Sequence, residues 1–150
     1  MPANVANDLL VLLGDAARHM RTYADQVAQT HGLTRAQWVI LARLERKADL
    51  SQNELAALAE VSPMTVARLV DRLEARGLVK RCVDPADRRI WRLRLTPAAA
   101  PVLQALSLER ARLYKIITKG IDPSVLEAMA VGLRQMKENV SSRRLAAAAA

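Results

Sequence analysis

The stretch SQNELAALAEVSPMTVARLVDRLEAR, residues 51–76, predicts two short helices joined by a tight turn at about Glu60–Val61. Ser51 and Glu54 have the spacing of a capping box, in which two side chains satisfy free N–H groups at the start of a helix. Ser62 is a good N-cap residue and is followed by proline, which is favoured at the first helical position. This pattern predicts a helix-turn-helix.

The second helix of this pair has one apolar face and one polar, cationic face. The residues with the spacing of a buried face are Val66, Leu69, Val70 and Leu73. Thr65, Arg68 and Arg72 share the opposite face, where Arg68 can fork onto guanine O6 and N7 in a DNA major groove. Ser62, Met64 and Thr65 lie in the first turn, where a recognition helix meets base edges and phosphate. Arg72, one turn further on, is better placed for a backbone phosphate.

The next stretch, DPADRRIWRLRLTP at residues 84–97, predicts a β-hairpin with strands over about 78–83 and 90–95. In the second strand, Trp91, Leu93 and Leu95 point to one side, and Ile90, Arg92 and Arg94 point to the other. We expect the first side to pack and the second to be largely cationic. Arg92 and Arg94 either contact DNA or are ordinary solvated strand residues.

A β-hairpin that follows a helix-turn-helix is a wing. Its tip carries Arg88 and Arg89, whose size and charge suit a narrow A·T-rich minor groove. Asp87 would repel DNA, so we assign it to orienting Arg89 or another arginine through a charge-assisted pair. The wing is therefore a second predicted DNA contact.

Further helices are predicted on both sides of this region, over about 4–30, 35–47, 97–119 and 123–144. The first carries an apolar stripe formed by Leu9, Leu13, Ala16, Met20, Tyr23 and Val27. The last carries a stripe formed by Leu126, Met129, Leu133, Met136 and Val140. These stripes exceed what one small central domain can cover, and we therefore expect a homodimer.

The helix ends are marked by local signals. Thr34 with Gln37 is a capping box, Thr96–Pro97 and Asp122–Pro123 each place a cap before a proline, and Gly32 and Gly77 follow helical patterns as stops. Together these signals predict a mainly α fold with a small β-hairpin.

The charge of the chain indicates a polyanionic partner. Its 150 residues and 16.5 kDa exclude a large multidomain enzyme. The net charge is +8, and nine Lys or Arg residues stand against four Asp or Glu residues between Ser62 and Leu95. Charge alone fits nucleic acid or an acidic membrane surface. Because the chain has neither a secretory signal nor a run of roughly 18 apolar residues, we expect a cytoplasmic protein.

Three stretches carry a resemblance to a known family: LTRAQWVILARL (33–44), VSPMTVARLVDRLEARGLVKR (61–81) and DPADRRIWRLRLTP (84–97). With them, effectively the whole chain resembles the multiple antibiotic resistance regulator (MarR) family of dimeric winged helix-turn-helix transcription factors. The resemblance implies a DNA-binding lobe over 33–96, dimerisation helices over 1–32 and 97–145, and a tail at 146–150.

The resemblance also implies site residues and a mechanism. Ser62, Met64, Thr65 and Arg68 match recognition-helix positions, and Asp87 and Arg89 match the Asp-x-Arg wing motif. The family commonly binds a small molecule between the dimerisation helices and the winged lobe, which changes the spacing of the two recognition helices. The implied function is a repressor released from a pseudo-palindromic operator by an effector, with an aromatic acid as a family-level expectation. LTPAAAP replaces the frequent LTPAG, so Pro101 leaves the start and angle of the fifth helix open.

His19, Tyr23 and Trp38 are the candidate effector-binding residues, since they offer aromatic rings with polar tips. The alternative is that Tyr23 and Trp38 belong to the core and His19 to the surface. Cys82 is either a packing residue or a redox switch. The two histidines have no compact ligand spacing with the carboxylates, so we predict no metal site and no cofactor.

Two other function classes remain as alternatives. The first is a sequence-tolerant architectural DNA-binding protein without an effector. The second is a small enzyme, although the sequence shows no nucleophile–base pair, glycine-rich phosphate loop or metal cluster. We therefore predict a protein that is not an enzyme.

Overall fold

The computed structural model describes the backbone of residues 3–148 and the side chains of residues 8–141. The elements are α1 (Ala3–Thr30), α2 (Arg35–Arg46), β1 (Leu50–Ser51), α3 (Gln52–Ala59), α4 (Pro63–Ala75), β2 (Val79–Val83), β3 (Trp91–Leu95), α5 (Ala99–Ile117) and α6 (Pro123–Ala148). The predicted mainly α fold with a small hairpin is confirmed. Residues 1–2, in the predicted dimerisation segment, and 149–150, in the predicted tail, lie outside the described residues.

Side-chain caps start the helices of the central region. At α2, the Gln37 amide N–H donates to Thr34 Oγ1 over 3.2 Å, and the Gln37 side chain accepts from the Thr34 N–H over 2.9 Å. Ser51 and Glu54 make the same reciprocal pair at α3, with distances of 3.2 and 2.7 Å. Both predicted capping boxes are therefore confirmed.

The start of the fifth helix, which Pro101 left open, lies at Ala99, and the predicted cap Thr96 with Pro97 as first helical residue is wrong. The hydroxyl of Thr96 donates to the Gly77 carbonyl instead of capping α5, and the Thr96 amide donates to Leu78 O over 3.0 Å. Thr96 thus closes the end of the sheet, and the chain makes one turn before the helix starts.

The sheet has three antiparallel strands in the order β1-β3-β2, whereas only β2 and β3 were predicted. β1 is only two residues long, and it places Leu50 opposite Leu93. On the other side of β3, Leu93 lies opposite Arg81 and Leu95 lies opposite Val79. β3 is therefore the central strand, held by hydrogen bonds on both edges.

One apolar core joins the sheet to the helices. Its buried residues are Ala28, Leu33, Ile40, Leu41, Leu44, Leu50, Leu55, Ala56, Val66, Val70, Leu73, Leu78, Val79, Leu93, Ala99, Leu103 and Leu106. Each fully buried Leu, Ile or Val side chain contributes about 1.5–3 kcal/mol relative to an exposed one. Gly77, at φ +68°, lets the chain leave α4 and enter β2 without losing contact with this core.

The stripe predicted on α1 is buried only near the end of that helix. Val27 is buried, Met20 and Tyr23 are half-buried, and Leu9 and Leu13 are exposed. The apolar residues at positions 9–13 of α1 therefore have no cover within the unit to which they belong.

The chain divides into two units, with the boundary between Glu109 and Arg110. The second unit contains the end of α5 and all of α6. In α6, Leu126 of the predicted stripe is half-buried, whereas Met129, Leu133, Met136 and Val140 are exposed. No helix within the described residues is long and apolar enough to cross a membrane.

Candidate nucleic-acid interface

Helix α4 exposes the face that the sequence assigned to DNA. Val66, Val70 and Leu73 are buried and Leu69 is half-buried, whereas Thr65, Arg68 and Arg72 are all exposed. The hydrophobic contacts of one face thus fix the rotation of α4 about its axis. The predicted division between a packed face and a polar face is confirmed.

The first turn of α4 presents polar groups and one large apolar side chain to solvent. Ser62 Oγ accepts from the Thr65 N–H over 3.1 Å, and its oxygen lies 2.9 Å from the Thr65 hydroxyl. Pro63 occupies the start of the helix, and Met64 is 67% exposed. The turn before it places Glu60 in the left-handed region, at φ 55° and ψ 40°. This turn lets α3 end and α4 start within a few residues.

Arg81, on the first strand of the hairpin, is held against α4. Its guanidinium donates to Asp71 over 2.6 Å and to Glu74 over 2.5 Å. Burial opposes the positive charge, but the hydrogen bonds to the two carboxylates outweigh it and raise the pKa of Arg81. The charge of Arg81 is therefore neutralised within the protein.

Arg92 joins the wing to the start of α3. Its guanidinium donates to Asp84 over 2.5 Å, to Glu54 over 2.7 Å and to the carbonyl of Asp49 over 3.2 Å. The hydrogen bond from Arg92, followed by those from the Ala86 and Asp87 amides, lowers the pKa of Asp84. We call the set Glu54, Asp84 and Arg92 the wing clamp.

The remaining strand arginine is also paired. Arg94 donates to the carboxylate of Asp49, and this contact raises the pKa of Arg94. Arg92 and Arg94 form ion pairs with residues 8 to 45 positions away in the sequence, so neither is a plain solvated strand residue, and their contact with DNA stays a prediction. Sequence periodicity carries no signal for such long-range pairs.

The wing tip exposes Arg88 and Arg89, as predicted. Asp87, however, forms no ion pair with an arginine among the described residues. Its Oδ1 instead accepts from the backbone N–H of Arg89 over 2.9 Å. The predicted pair with an arginine is therefore wrong, because an aspartate readily accepts from the amide two residues ahead in a turn. Asp87 therefore fixes the backbone of the tip and leaves the Arg89 guanidinium unpaired.

Trp91 departs from the predicted packing of its strand. It points to the same side as Leu93, which is fully buried, yet Trp91 is 49% exposed. Its cross-strand neighbour Val83 is 47% exposed. The hairpin extends beyond the helices that cover its inner side. The alternating apolar residues at its outer end therefore have no core to pack against.

Trp91 lines a cleft of about 260 Å³ between the wing and the start of α3. Its lining residues are Ser51, Gln52, Asn53, Arg89, Ile90 and Trp91. The sequence patterns did not reveal this cleft. The only signal available was a large aromatic residue at the outer end of a wing strand.

The candidate effector residues differ in exposure. His19 is exposed, Tyr23 is half-buried, and Trp38 is half-buried and packed against the core. Cys82 is a free, half-buried cysteine on β2. Among the described residues, no group of three or more His, Cys, Asp or Glu side chains is arranged to hold a metal ion.

The chain is similar to known proteins over most of its length. A family model described as MarR family matches residues 31–90. The HTH-type transcriptional regulator YybA of Bacillus subtilis (strain 168) is 25% identical over 134 residues, which are 89% of each chain. The crystal structure of a MarR-family transcriptional regulator from Silicibacter pomeroyi is 30% identical, with a TM-score of 0.75 over 86% of this chain and 87% of that one.

A second solved structure comes from Bordetella bronchiseptica. It is that of BpsR, whose DNA binding is regulated by 6-hydroxynicotinic acid. BpsR is 27% identical to this chain, with a TM-score of 0.74, and the match covers 84% of this chain and 90% of BpsR.

Proposed function

Because the chain belongs to the MarR family of winged helix-turn-helix transcription regulators, we propose that it acts as a homodimeric repressor that binds a pseudo-palindromic DNA operator. A two-fold dimer presents two recognition helices, so the half-sites should lie about one helical turn apart, centre to centre. In this proposal, residues 33–96 bind DNA, and the helices within 1–32 and 97–145 form the dimer.

The division of arginines into paired and unpaired groups supports this proposal most directly. Arg81, Arg92 and Arg94 are neutralised by carboxylates. The exposed cations of the recognition helix and wing tip form no ion pair with another described residue, and they are Arg68, Arg72, Arg88 and Arg89. These four free cations thus lie on the two elements that would enter adjacent grooves.

Each exposed residue of the recognition helix has a proposed role that depends on its position along the helix. Ser62, Met64 and Thr65 lie in the first turn and contact base edges, with Arg68 reading guanine one turn further on. Arg72 contacts a phosphate. At the wing, Arg88 and Arg89 enter the minor groove, and Asp87 holds the tip in shape through the Arg89 amide.

The exposed apolar residues of α1 support the homodimer. Leu9, Leu10, Val11, Leu12 and Leu13 are all exposed, and α6 exposes a further apolar set. Contiguous apolar surface of this kind is typical of a protein–protein interface. A second copy of the chain supplies an identical apolar surface, and a two-fold interface pairs the same patch on both subunits.

We further propose that an aromatic acid releases the repressor from DNA. The regulation of BpsR by 6-hydroxynicotinic acid supports this class of effector. His19, Tyr23 and Trp38 are the residues that would contact it, through ring stacking and polar tips. Adding 6-hydroxynicotinic acid or a related acid to the DNA complex should then lower DNA affinity.

Fluorescence anisotropy with duplex DNA from the region upstream of the gene tests the proposed regulator. A scrambled duplex of equal composition is the control, at physiological salt. We expect a preference of about a thousandfold or more for the upstream duplex, because the ratio of specific to non-specific affinity in DNA-binding regulators is typically at least this large. Equal affinity for both duplexes would instead favour a sequence-tolerant architectural protein.

A further inference from the structure

Trp91 is a large aromatic side chain that the fold leaves half exposed. Its exposed fraction is 49%. Leu93, two residues along the same strand and on the same side, is fully buried. The exposure of Trp91 therefore comes from its place at the outer end of the wing and not from a loose core.

The cleft beside Trp91 is suited to an anion next to an apolar surface. None of its lining residues is acidic, and Arg89 supplies a positive charge. Gln52 and Asn53 begin α3, where helix N–H groups and the positive end of the helix dipole favour negative charge. The nearby carboxylate of Glu54 is already occupied by the Ser51 amide and Arg92.

The position of the cleft beside the wing indicates which part of a bound DNA duplex would contact it. Adjacent major and minor grooves of a duplex are separated by one sugar–phosphate strand. If α4 occupies the major groove and the wing tip the minor groove, that strand passes beside the wing, whose residues Arg89, Ile90 and Trp91 line the cleft. A deoxyribose offers an apolar face, and the phosphate next to it offers the negative charge.

We propose that this cleft is a binding site for the DNA sugar–phosphate backbone, in which the Trp91 ring packs against a deoxyribose. The first turn of α3 receives the neighbouring phosphate, and the positive charge of Arg89, whose guanidinium enters the minor groove, attracts the same strand. The inference rests on the DNA binding proposed above, but the contact itself is independent of base sequence. Trp91 is thus assigned an affinity role that neither the recognition helix nor the wing-tip arginines supply.

Anisotropy titrations at several salt concentrations test this site with the full-length protein. Trp91→Ala should weaken binding to the upstream and scrambled duplexes equally, by roughly tenfold. The slope of log affinity against log salt should stay unchanged, since no ionic contact is lost. Arg89→Ala should also weaken binding to both duplexes, but it should reduce that slope by about one.

Two further variants separate contact from wing folding. Val83→Ala is the matched control, because Val83 is the cross-strand neighbour of Trp91 and is equally exposed, yet it does not line the cleft. It should bind DNA within about twofold of wild type, as expected for an apolar side chain outside the interface. Trp91→Phe keeps an aromatic ring and should recover most of the affinity lost by Trp91→Ala.

Tryptophan fluorescence gives an independent readout, since the chain contains only two tryptophans. In the Trp38→Phe variant, Trp91 is the only tryptophan, and adding scrambled duplex should protect its fluorescence from acrylamide quenching. The difference in quenching between wild type and Trp91→Phe reports the same protection. If wild type binds DNA but Trp91→Ala binds equally well and quenching is unchanged, the backbone site is wrong and the regulator proposal stands. If wild type shows no preference for the upstream duplex, the operator-specific proposal fails while the Trp91 test remains decisive.

Discussion

At the scale of single residues, Arg68 and Arg72 share one exposed face of α4 but are assigned different parts of the DNA. Arg68→Ala should cost about 1–3 kcal/mol and relax the preference at one base position, because a bidentate contact with guanine is lost. Arg72→Ala should weaken binding evenly across sequences and reduce the salt dependence. Competition titrations with single-base operator variants measure both effects.

The control for this pair is Arg21→Ala, since Arg21 is an exposed arginine on α1, outside the interface. It removes the same charge and should leave the base preference intact. Equal losses for Arg68→Ala and Arg72→Ala on upstream and scrambled duplexes would contradict the assignment of base reading to Arg68.

Asp87 holds the wing tip through the backbone of Arg89. Its carboxylate accepts from the Arg89 amide, so an acceptor oxygen is needed at this position but a negative charge is not. Asp87→Asn should therefore bind DNA at least as tightly as wild type, because it keeps the acceptor and removes a repulsive charge. Asp87→Ala should bind more weakly, since the tip loses its turn. Titration of the two variants in parallel decides the point, and equal weakening by both would indicate a charge pair with an arginine.

At the scale of elements, local signals predicted the helices because each cap acts within three or four residues. The pairs Thr34–Gln37 and Ser51–Glu54 mark their helix starts in the sequence and in the structure alike. β1 escaped prediction because two residues, Leu50 and Ser51, carry no periodicity. Its strand character comes from pairing with Leu93 and Arg92, which are distant in sequence.

The short reach of local sequence signals also explains which parts of the candidate site could be predicted. The reading face of α4 follows from helical spacing, and the exposed tip follows from turn residues. The roles of Arg81 and Arg92 depend on carboxylates that only the folded chain brings near, Glu54 among them. The exposure of Trp91 depends on where the helices stop covering the sheet. Neither property is contained in the local sequence.

The wing clamp predicts a dependence of stability on pH. The fold lowers the pKa of Asp84, mainly through Arg92, and lowers that of Glu54, mainly through the Ser51 amide. Such carboxylates stabilise the folded state when ionised, so their contribution is complete at neutral pH. This stabilisation should decline once the pH falls below about 4, the ordinary carboxyl pKa, and should be lost as the pH passes below the lowered pKa values of the folded state.

Urea unfolding between neutral pH and pH about 3 measures this effect. Asp84→Asn should lower the free energy of unfolding at neutral pH and flatten its decline in acid, because the neutral amide no longer titrates. Glu127→Gln alters an exposed carboxyl on α6 outside the clamp and should follow the wild-type curve. An Asp84→Asn curve parallel to that of wild type would show that the clamp does not link folding to protonation.

At the scale of the whole molecule, the charge and the apolar surface serve separate purposes. Much of the net charge of +8 lies in the winged region. Ion pairs within the protein neutralise Arg81 and Arg92 there, but they leave the arginines of the reading face and of the wing tip unpaired. Residues 9–13 of α1 are instead apolar and exposed. One surface is suited to a polyanion and the other to a second protein chain.

The exposed apolar surface of α1 is expected to hold two copies of the chain together. Sedimentation of the wild-type protein should give a mass twice that of the 16.5 kDa chain. Leu9→Glu with Leu13→Glu places two charges in one exposed stripe of α1, and burying them in a dimer would be costly. This variant should sediment as a monomer or dissociate at much higher concentrations than wild type. Gln26→Glu adds a charge at an exposed polar position of the same helix and should remain a dimer.

Dimerisation and DNA binding are coupled in this proposal, because one dimer binds two half-sites. The Leu9→Glu/Leu13→Glu variant should therefore lose most of its affinity for a full operator while binding an isolated half-site as wild-type monomer would. Its helix content and wing clamp should be unchanged, which circular dichroism and urea unfolding check. A monomeric wild-type protein, or a double variant that dimerises and binds the full operator normally, would assign the exposed stripe of α1 to a different partner.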